Sequence, residues 1–262
     1  MNEQIDAALI RVLQDIEAPV VAVSGGVDSV TLAAFAHRLR PGVTMIHAIS
    51  PAVSESATRR VRSLGENQGW DLQEVDAREF EDPQYLANPA NRCFFCKTNL
   101  YGTMARVTSG TLLSGTNLDD LSDWRPGLKA AEDHEVRHPF VEARFAKADV
   151  RALASRLGLQ DIAELPASPC LSSRVETGIP IAPETLKIID QVETGIREKF
   201  SLATVRLRRR ATGFVLEIDA VSHEAMAGSR HEALAAEASR IVGEPVTLAP
   251  YRRGSAFLRE NA

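Results

Sequence analysis

Pro19-Val20-Val21-Ala22-Val23-Ser24-Gly25-Gly26-Val27-Asp28-Ser29 is the stretch on which the fold turns. A short β-branched run stops abruptly in glycines and hydroxyls, and an apolar periodic stretch, Val30 to Leu39, follows at once. Strand, tight loop and helix in that order form the repeating unit of parallel α/β sheets. Before it, Leu9, Val12, Leu13 and Ile16 recur at helical spacing. After Pro41-Gly42, Val43 to Ile49 reads as a second strand and 54–68 as a helix. Residues 71–75 give a third strand, 97–107 a helix, and 111–114 a fourth strand ending at Gly115. The alternation predicts a parallel sheet covered by helices on both faces.

Beyond Leu159 the texture changes. Pro166-Ala167-Ser168-Pro169-Cys170 is a punctuated loop, and Pro183 opens a helix reaching Phe200, with proline well placed at its start. Ala203–Arg210 and Phe214–Asp219 flank Ala211-Thr212-Gly213 as a hairpin, and two short helical patterns precede a strand at Val246-Thr247-Leu248. The expected division is an α/β domain over 1–165 and a smaller C-terminal α+β domain over 166–262, serving substrate binding or oligomerisation.

The 262 residues suit one large or two unequal domains. No apolar run approaches the roughly 18 residues of a membrane span, and the acidic start lacks a signal peptide, so the expected location is cytoplasmic. Thirty basic against 35 acidic residues argue against a protein that coats nucleic acid. The three cysteines, Cys93, Cys96 and Cys170, are odd in number and do not form a disulfide framework.

In Ser24–Ser29 the glycines let the backbone approach a polyanion, and the following helix offers free amides and a favourable dipole. No Gly-Lys-Ser/Thr follows and Gly-x-Gly-x-x-Gly is absent, so this is neither a Walker loop nor a dinucleotide loop. Asp28 would repel phosphate directly; orienting loop amides or holding Mg²⁺ suits it better. Ordinary strand–helix turns also use Gly-Gly and Asp, but the full string is more specific. It resembles the PP-loop of N-type ATP pyrophosphatases, which cleave ATP between the α and β phosphates. That resemblance implies that Ser24, Gly25, Gly26, Asp28 and Ser29 hold pyrophosphate, in a fold of the adenine nucleotide alpha hydrolase kind.

Cys93 and Cys96 stand as Cys-x-x-Cys and are able to reach one metal, one cluster or each other. With Cys170 they would make three thiolates and one open position, which suits a [4Fe–4S] cluster with a free iron. Zinc with a histidine, an isolated redox pair and three packed thiols are the alternatives. Cys170 lies in Pro169-Cys170-Leu171-Ser172-Ser173-Arg174, where hydroxyls and an arginine accompany the thiol.

Several strings together resemble one family within this group. They include the loop itself, Ser50-Pro51-Ala52-Val53, Arg92 to Lys97, Gly115-Thr116-Asn117-Leu118-Asp119-Asp120, Asp123 to Ala131, Pro169 to Arg174 and Tyr251 to Ser255. In order over nearly the whole chain, they look like the LarE family of ATP-dependent sulfur transferases. Its members convert carboxylates of a pyridinium dicarboxylate mononucleotide into thiocarboxylates, building a nickel-pincer cofactor.

The resemblance implies ATP and Mg²⁺ as cofactors, a small nucleotide as substrate and a homo-oligomer. One-cysteine members sacrifice the sulfur matching Cys170; the three-cysteine pattern points to a [4Fe–4S] cluster on Cys93, Cys96 and Cys170. It further implies nucleotide contacts at Ser50, Gly115, Thr116 and Asp119, and phosphate contacts at Arg125 and Arg174. Glu193, Arg206, Arg208 and Arg252 match positions lining the substrate pocket. Strand alternation places Arg206 and Arg208 on one face, and Glu217 is expected to share it. The chain departs from the family at Val175-Glu176-Thr177-Gly178 and Arg208-Arg209-Arg210, both near that pocket. A tRNA-thiolating enzyme also pairs such a loop with three cysteines, and a nucleotide- or metal-sensing binding protein would use the fold without turnover.

Overall fold

The structure, a computed structural model, describes residues 2–122, 126–226, 228–252 and 254–257. The helices, in chain order, begin with α1 (Asn2–Gln14), α2 (Val27–Leu39), α3 (Glu55–Gln68), α4 (Pro83–Leu86), α5 (Arg92–Val107) and α6 (Pro126–Asp133). They continue with α7 (Pro139–Glu142), α8 (Lys147–Arg156), α9 (Gln160–Ala163), α10 (Pro183–Phe200), α11 (Ala220–Ala225) and α12 (Ser229–Val242). The strands are β1 (Pro19–Ala22), β2 (Thr44–Ile49), β3 (Asp71–Asp76), β4 (Thr111–Leu113), β5 (Val205–Arg210), β6 (Gly213–Ile218) and β7 (Val246–Pro250).

They fall into two compact units, Met1–Asp82 with Asn91–Ser168, and Pro83–Ala90 with Pro169–Ala262. The expected boundary at 165/166 therefore moves slightly, and an octapeptide within the first stretch goes with the second unit. Its own hydrogen bonds explain the placement. The Asn88 side chain donates to the carbonyls of Glu176 (2.9 Å) and Ile179 (2.8 Å), and the amides of Gly178 and Ile181 reach Asn88 and Leu86. These partners lie far along the chain, so no local pattern announces them.

In the first unit the sheet order is β3-β2-β1-β4, all parallel, as the alternating pattern predicts. Strand alternation sorts its side chains. Val21, Met45 and Leu113 enter a core with Leu9, Leu13, Leu32 and Leu153, whereas Val20, Ile46 and Leu112 enter another with Tyr101 and Met104 of α5. Neighbouring residues on each strand thus feed different helix layers, the signature of a doubly covered sheet. β1 leads through α2 to β2 on one side, and β4 lies on its other side, so strand order reverses beside β1. Ligands of open α/β sheets bind at the carboxyl ends of the strands at such a point, and Ser24–Ser29 lies there.

Helix α5 begins at Arg92, earlier than the expected 97. The carbonyl of Asn91 already accepts the Phe94 amide at 2.8 Å, so Cys93 and Cys96 sit within the first turns, three residues apart on one face.

The second unit carries a three-stranded sheet, order β5-β6-β7, antiparallel between β5 and β6 and parallel between β6 and β7. The amphipathic α10 buries Leu186, Ile189, Val192 and Ile196 at spacings of three and four.

Candidate functional site

Within the first unit, the loop after β1 is built to leave donors open. Gly25 takes φ +80°, a left-handed conformation that suits glycine, and Gly26 caps α2 without a side-chain hydrogen bond. The first amides of α2 are therefore unspent by capping. The Ser29 hydroxyl accepts from the Ser24 amide (3.0 Å), meets the Ser24 hydroxyl (3.0 Å) and reaches the Gly26 carbonyl (3.2 Å). Ser29 therefore braces the loop from inside; Ser24 is exposed.

Two other segments close around it. A Cβ on Gly115 would lie 2.7 Å from the Asp28 carbonyl carbon and the Ser29 nitrogen, so the turn after β4 touches the loop backbone. Gly115→Ala is expected to destabilise the unit by about 1–3 kcal/mol through overpacking, measured by urea denaturation. Asp28 does not stand alone: its carboxylate accepts from Asn117 Nδ2 at 3.1 Å and Lys147 Nζ at 2.6 Å. The Lys147 amide donates to Asp119, whose own amide donates to Asn117 Oδ1 at 3.0 Å. Gly115, Asn117, Asp119 and Asp28 are thus one connected set, with the carboxylate charge of Asp28 offset by Lys147. Thr116 joins through Ser114, whose hydroxyl lies 2.9 Å from Thr116 and 2.8 Å from His138 Nδ1. Burial pushes the His138 imidazole below its ordinary pKa.

Sequence reading passed over Lys147, a lone lysine at a helix start that no spacing marks. It also passed over Glu79, a carboxyl 2% exposed beside Ser50. Burial raises the Glu79 pKa, and its bond to Ser50 offsets only part of that shift. Ser50 follows β2 and accepts the Ala52 amide at 3.1 Å.

Within the second unit, the face of β5 expected to be polar is buried. Arg206 lies directly across from Glu217 in the strand register, and Arg206 and Arg208 are 6% and 4% exposed. Glu217 accepts from Arg208 Nε (3.0 Å), Arg210 Nη2 (2.8 Å) and Ser255 Oγ (2.6 Å). Glu193 of α10 accepts from Arg174 Nε (3.0 Å) and Nη2 (2.9 Å) and from the Leu207 amide (3.0 Å), with Arg206 at 3.7 Å. Arg174 Nη1 also donates to the carbonyls of Pro169 (2.5 Å) and Cys170 (3.0 Å). Arg174 is therefore a fork that ties α10 to the backbone carrying the exposed Cys170.

Burial pulls the Arg174 pKa down, but Glu193 more than offsets it. At Arg206, burial and then the adjacent Arg174 leave the pKa lowered. The Arg252 side chain is exposed and joins none of these ion pairs among the described residues. Arg125 lies outside the described residues.

The cysteines divide between the units, none of them in a disulfide: Cys93 and Cys96 are half-buried in the first, and Cys170 is exposed in the second. Among the described residues no three His, Cys, Asp or Glu side chains group as a metal site, and no helix is long and apolar enough to cross a membrane.

No protein-family model matches the chain. It is 34% identical over 199 residues to an uncharacterized protein of Synechocystis, covering 74% of each chain. It is 30% identical over 208 residues to the pyridinium-3,5-bisthiocarboxylic acid mononucleotide synthase of Lactiplantibacillus plantarum, covering 77% of this chain and 75% of that one. An uncharacterized protein of Methanocaldococcus jannaschii is 26% identical over 204 residues, covering 76% of this chain and 77% of its own.

Proposed function

The chain belongs to the LarE family, that of the Lactiplantibacillus synthase, and from that premise we propose that it is an ATP-dependent sulfur transferase acting on a pyridinium carboxylate mononucleotide. The observation that supports an anionic acceptor is the charge on the buried face of β5. Arg174, Arg206, Arg208 and Arg210 gather there around Glu193 and Glu217. A cluster of guanidiniums suits an acceptor that carries a phosphate and ring carboxylates.

The chemistry divides by unit. A carboxylate has no acceptable leaving group until its oxygen attacks the α-phosphorus of ATP and expels pyrophosphate. The first unit supplies open amides at α2 for the departing pyrophosphate and Lys147 beside Asp28 for its charge; Asp28 is also the residue proposed for Mg²⁺. The acyl adenylate then loses AMP to a sulfur nucleophile, giving the thiocarboxylate. In a single-turnover form, Cys170 Sγ makes the thioester, and loss of its Hα breaks Cβ–Sγ to leave dehydroalanine.

In the catalytic form we favour, Cys93, Cys96 and Cys170 hold a [4Fe–4S] cluster. The first two fit as ligands: thiols outside any disulfide, three residues apart on one face at the start of α5. When bound, such a cluster supplies an open iron able to carry sulfide.

The test is anaerobic incubation with ATP, Mg²⁺, sulfide and pyridinium-3,5-biscarboxylic acid mononucleotide. Pyrophosphate and AMP in equal amounts with a thiocarboxylate product support the reading. ATP cleavage that requires a tRNA acceptor instead would sink it. Iron and sulfide analysis of the anaerobic protein is expected to show a cluster that Cys93→Ala removes, whereas zinc in its place would exclude the cluster form.

A further inference from the structure

We propose that His47 is a positioning residue that holds the phosphate loop in its binding shape from beneath, through a tautomer fixed by two hydrogen bonds. This rests on the reading that the loop after β1 binds the phosphates of ATP.

His47 on β2 is fully buried, 0% exposed, and touches no solvent from which to replace a lost partner. Its Nδ1 lies 2.7 Å from the carbonyl oxygen of Val23, the last residue before the loop. A carbonyl only accepts, so Nδ1 carries the proton. Nε2 is then the acceptor and takes the hydroxyl proton of Thr58 at 3.0 Å. The Val23 amide still pairs with Ile46 at 2.9 Å, so the sheet ladder runs up to this residue on one side. Its carbonyl faces the imidazole instead. His47 thus completes the backbone accounting where β1 gives way to the loop.

Thr58 belongs to α3, and the same helix meets the loop twice more. A Cβ on Gly25 would lie 2.8 Å from the Ala57 carbonyl oxygen, and Arg60 Nη1 donates to the Gly25 carbonyl at 2.7 Å. Three successive contacts of α3, at Ala57, Thr58 and Arg60, therefore bear on Val23 and Gly25. His47 links the middle one to the strand.

The arrangement requires a neutral ring. Burial is the main cause that holds the His47 pKa below 6.5; its bond to Val23 and the charge of Glu74 on β3 oppose this, and Arg62 on α3 reinforces it. Glu74 and Arg62 pair with each other at 2.6 Å. With the folded pKa below the unfolded one, the neutral ring's contribution is complete above about pH 6.5 and is lost as pH falls through the folded value.

The test uses the full-length protein, with ATP and inorganic pyrophosphate as probes in titration calorimetry, and thermal unfolding run alongside. His47→Leu removes both bonds and is expected to weaken pyrophosphate about tenfold, the equivalent of one net hydrogen bond. His47→Asn places an amide near Nδ1, restores the bond to Val23 and is expected to recover most of the affinity. His47→Gln reaches only toward Thr58 and is expected to recover little. As pH falls below about 6.5 and through the lowered value of His47, wild-type affinity should fall more steeply than that of His47→Asn, a difference that general core loosening does not produce.

Equal rescue by Asn and Gln, or identical pH profiles, would overturn the positioning role. Should His47→Leu fail to fold, Thr58→Val supplies the comparison through loss of the second bond, and unchanged binding there with unchanged Asn and Gln affinities overturns the role as well. A wild-type protein that binds neither ATP nor pyrophosphate overturns the underlying reading. Binding by the wild type and equally by every variant overturns the inference alone.

Discussion

Replacing Cys170 with alanine is expected to cut thiocarboxylate formation by about a thousandfold or more, the scale seen when a nucleophile is removed, while leaving the first turnover of ATP intact. The loop after β1, the Gly115 turn and Lys147 belong to the first unit, and none of their hydrogen bonds depends on the Cys170 thiol. Adenylation should therefore proceed to one pyrophosphate per site and then stall, because no sulfur displaces AMP. A burst followed by a slow hydrolytic rate in a pyrophosphate assay is the expected trace. Loss of the burst as well would place Cys170 in adenylation and contradict the division of labour.

The companion substitution Cys93→Ala separates the two sulfur sources. If Cys170 gives up its own sulfur, Cys93→Ala keeps a full single-turnover yield, and the protein loses a mass equal to H₂S. If the three thiolates hold a cluster, Cys93→Ala loses product as completely as Cys170→Ala, and wild-type mass is unchanged after turnover.

Features with local causes were legible in the sequence. β1, α2 and β2 follow from an apolar run, two glycines and a 3.6-residue period lying next to one another, and the structure reproduces them within a residue or so at most ends, with α2 starting earlier, at Val27. Arg206, Arg208 and Glu217 share a face because strand geometry leaves no choice. What alternation does not reveal is whether such a face meets water. A salt-bridged outer face was as compatible with the spacing as the buried network that the structure shows, since the residues covering it come from Leu171–Arg174 and α10. Lys147, Glu79 and His47 escaped for the same reason. Each owes its role to a partner far along the chain, Asp28, Ser50 and Val23 respectively. The start of α5 is hard to see in the sequence because Arg92-Cys93-Phe94-Phe95-Cys96 reads as a ligand motif before it reads as helix, although nothing in it opposes helix formation.

The largest stability effect is expected at Glu193. Replacement by alanine would leave Arg174, 2% exposed, without its bidentate partner and remove from Arg206 a carboxylate 3.7 Å away. Breaking a buried pair from one side costs about 3–5 kcal/mol because a desolvated charge remains, a large share of the roughly 5–15 kcal/mol that holds most domains folded. Urea denaturation should show the loss as a lower midpoint of the transition of the second unit. Glu193→Gln, which keeps an acceptor for the Leu207 amide but loses the charge, should fall between wild type and alanine.

The decisive variant changes both partners. Arg174→Met with Glu193→Leu removes the Arg174 charge together with its partner and fills the space with apolar side chains, so part of the stability is expected to return, the loss of the Glu193 acceptor for Arg206 and the Leu207 amide persisting. Sulfur transfer should not return with it, because a thioether has no N–H to replace the guanidinium fork that donates to the carbonyls of Pro169 and Cys170. Stability recovered without activity would show that the Arg174 guanidinium serves sulfur transfer beyond folding, by holding the loop of the thiol or by meeting the anionic acceptor. Activity recovered in step with stability would show that Arg174 contributes only to folding.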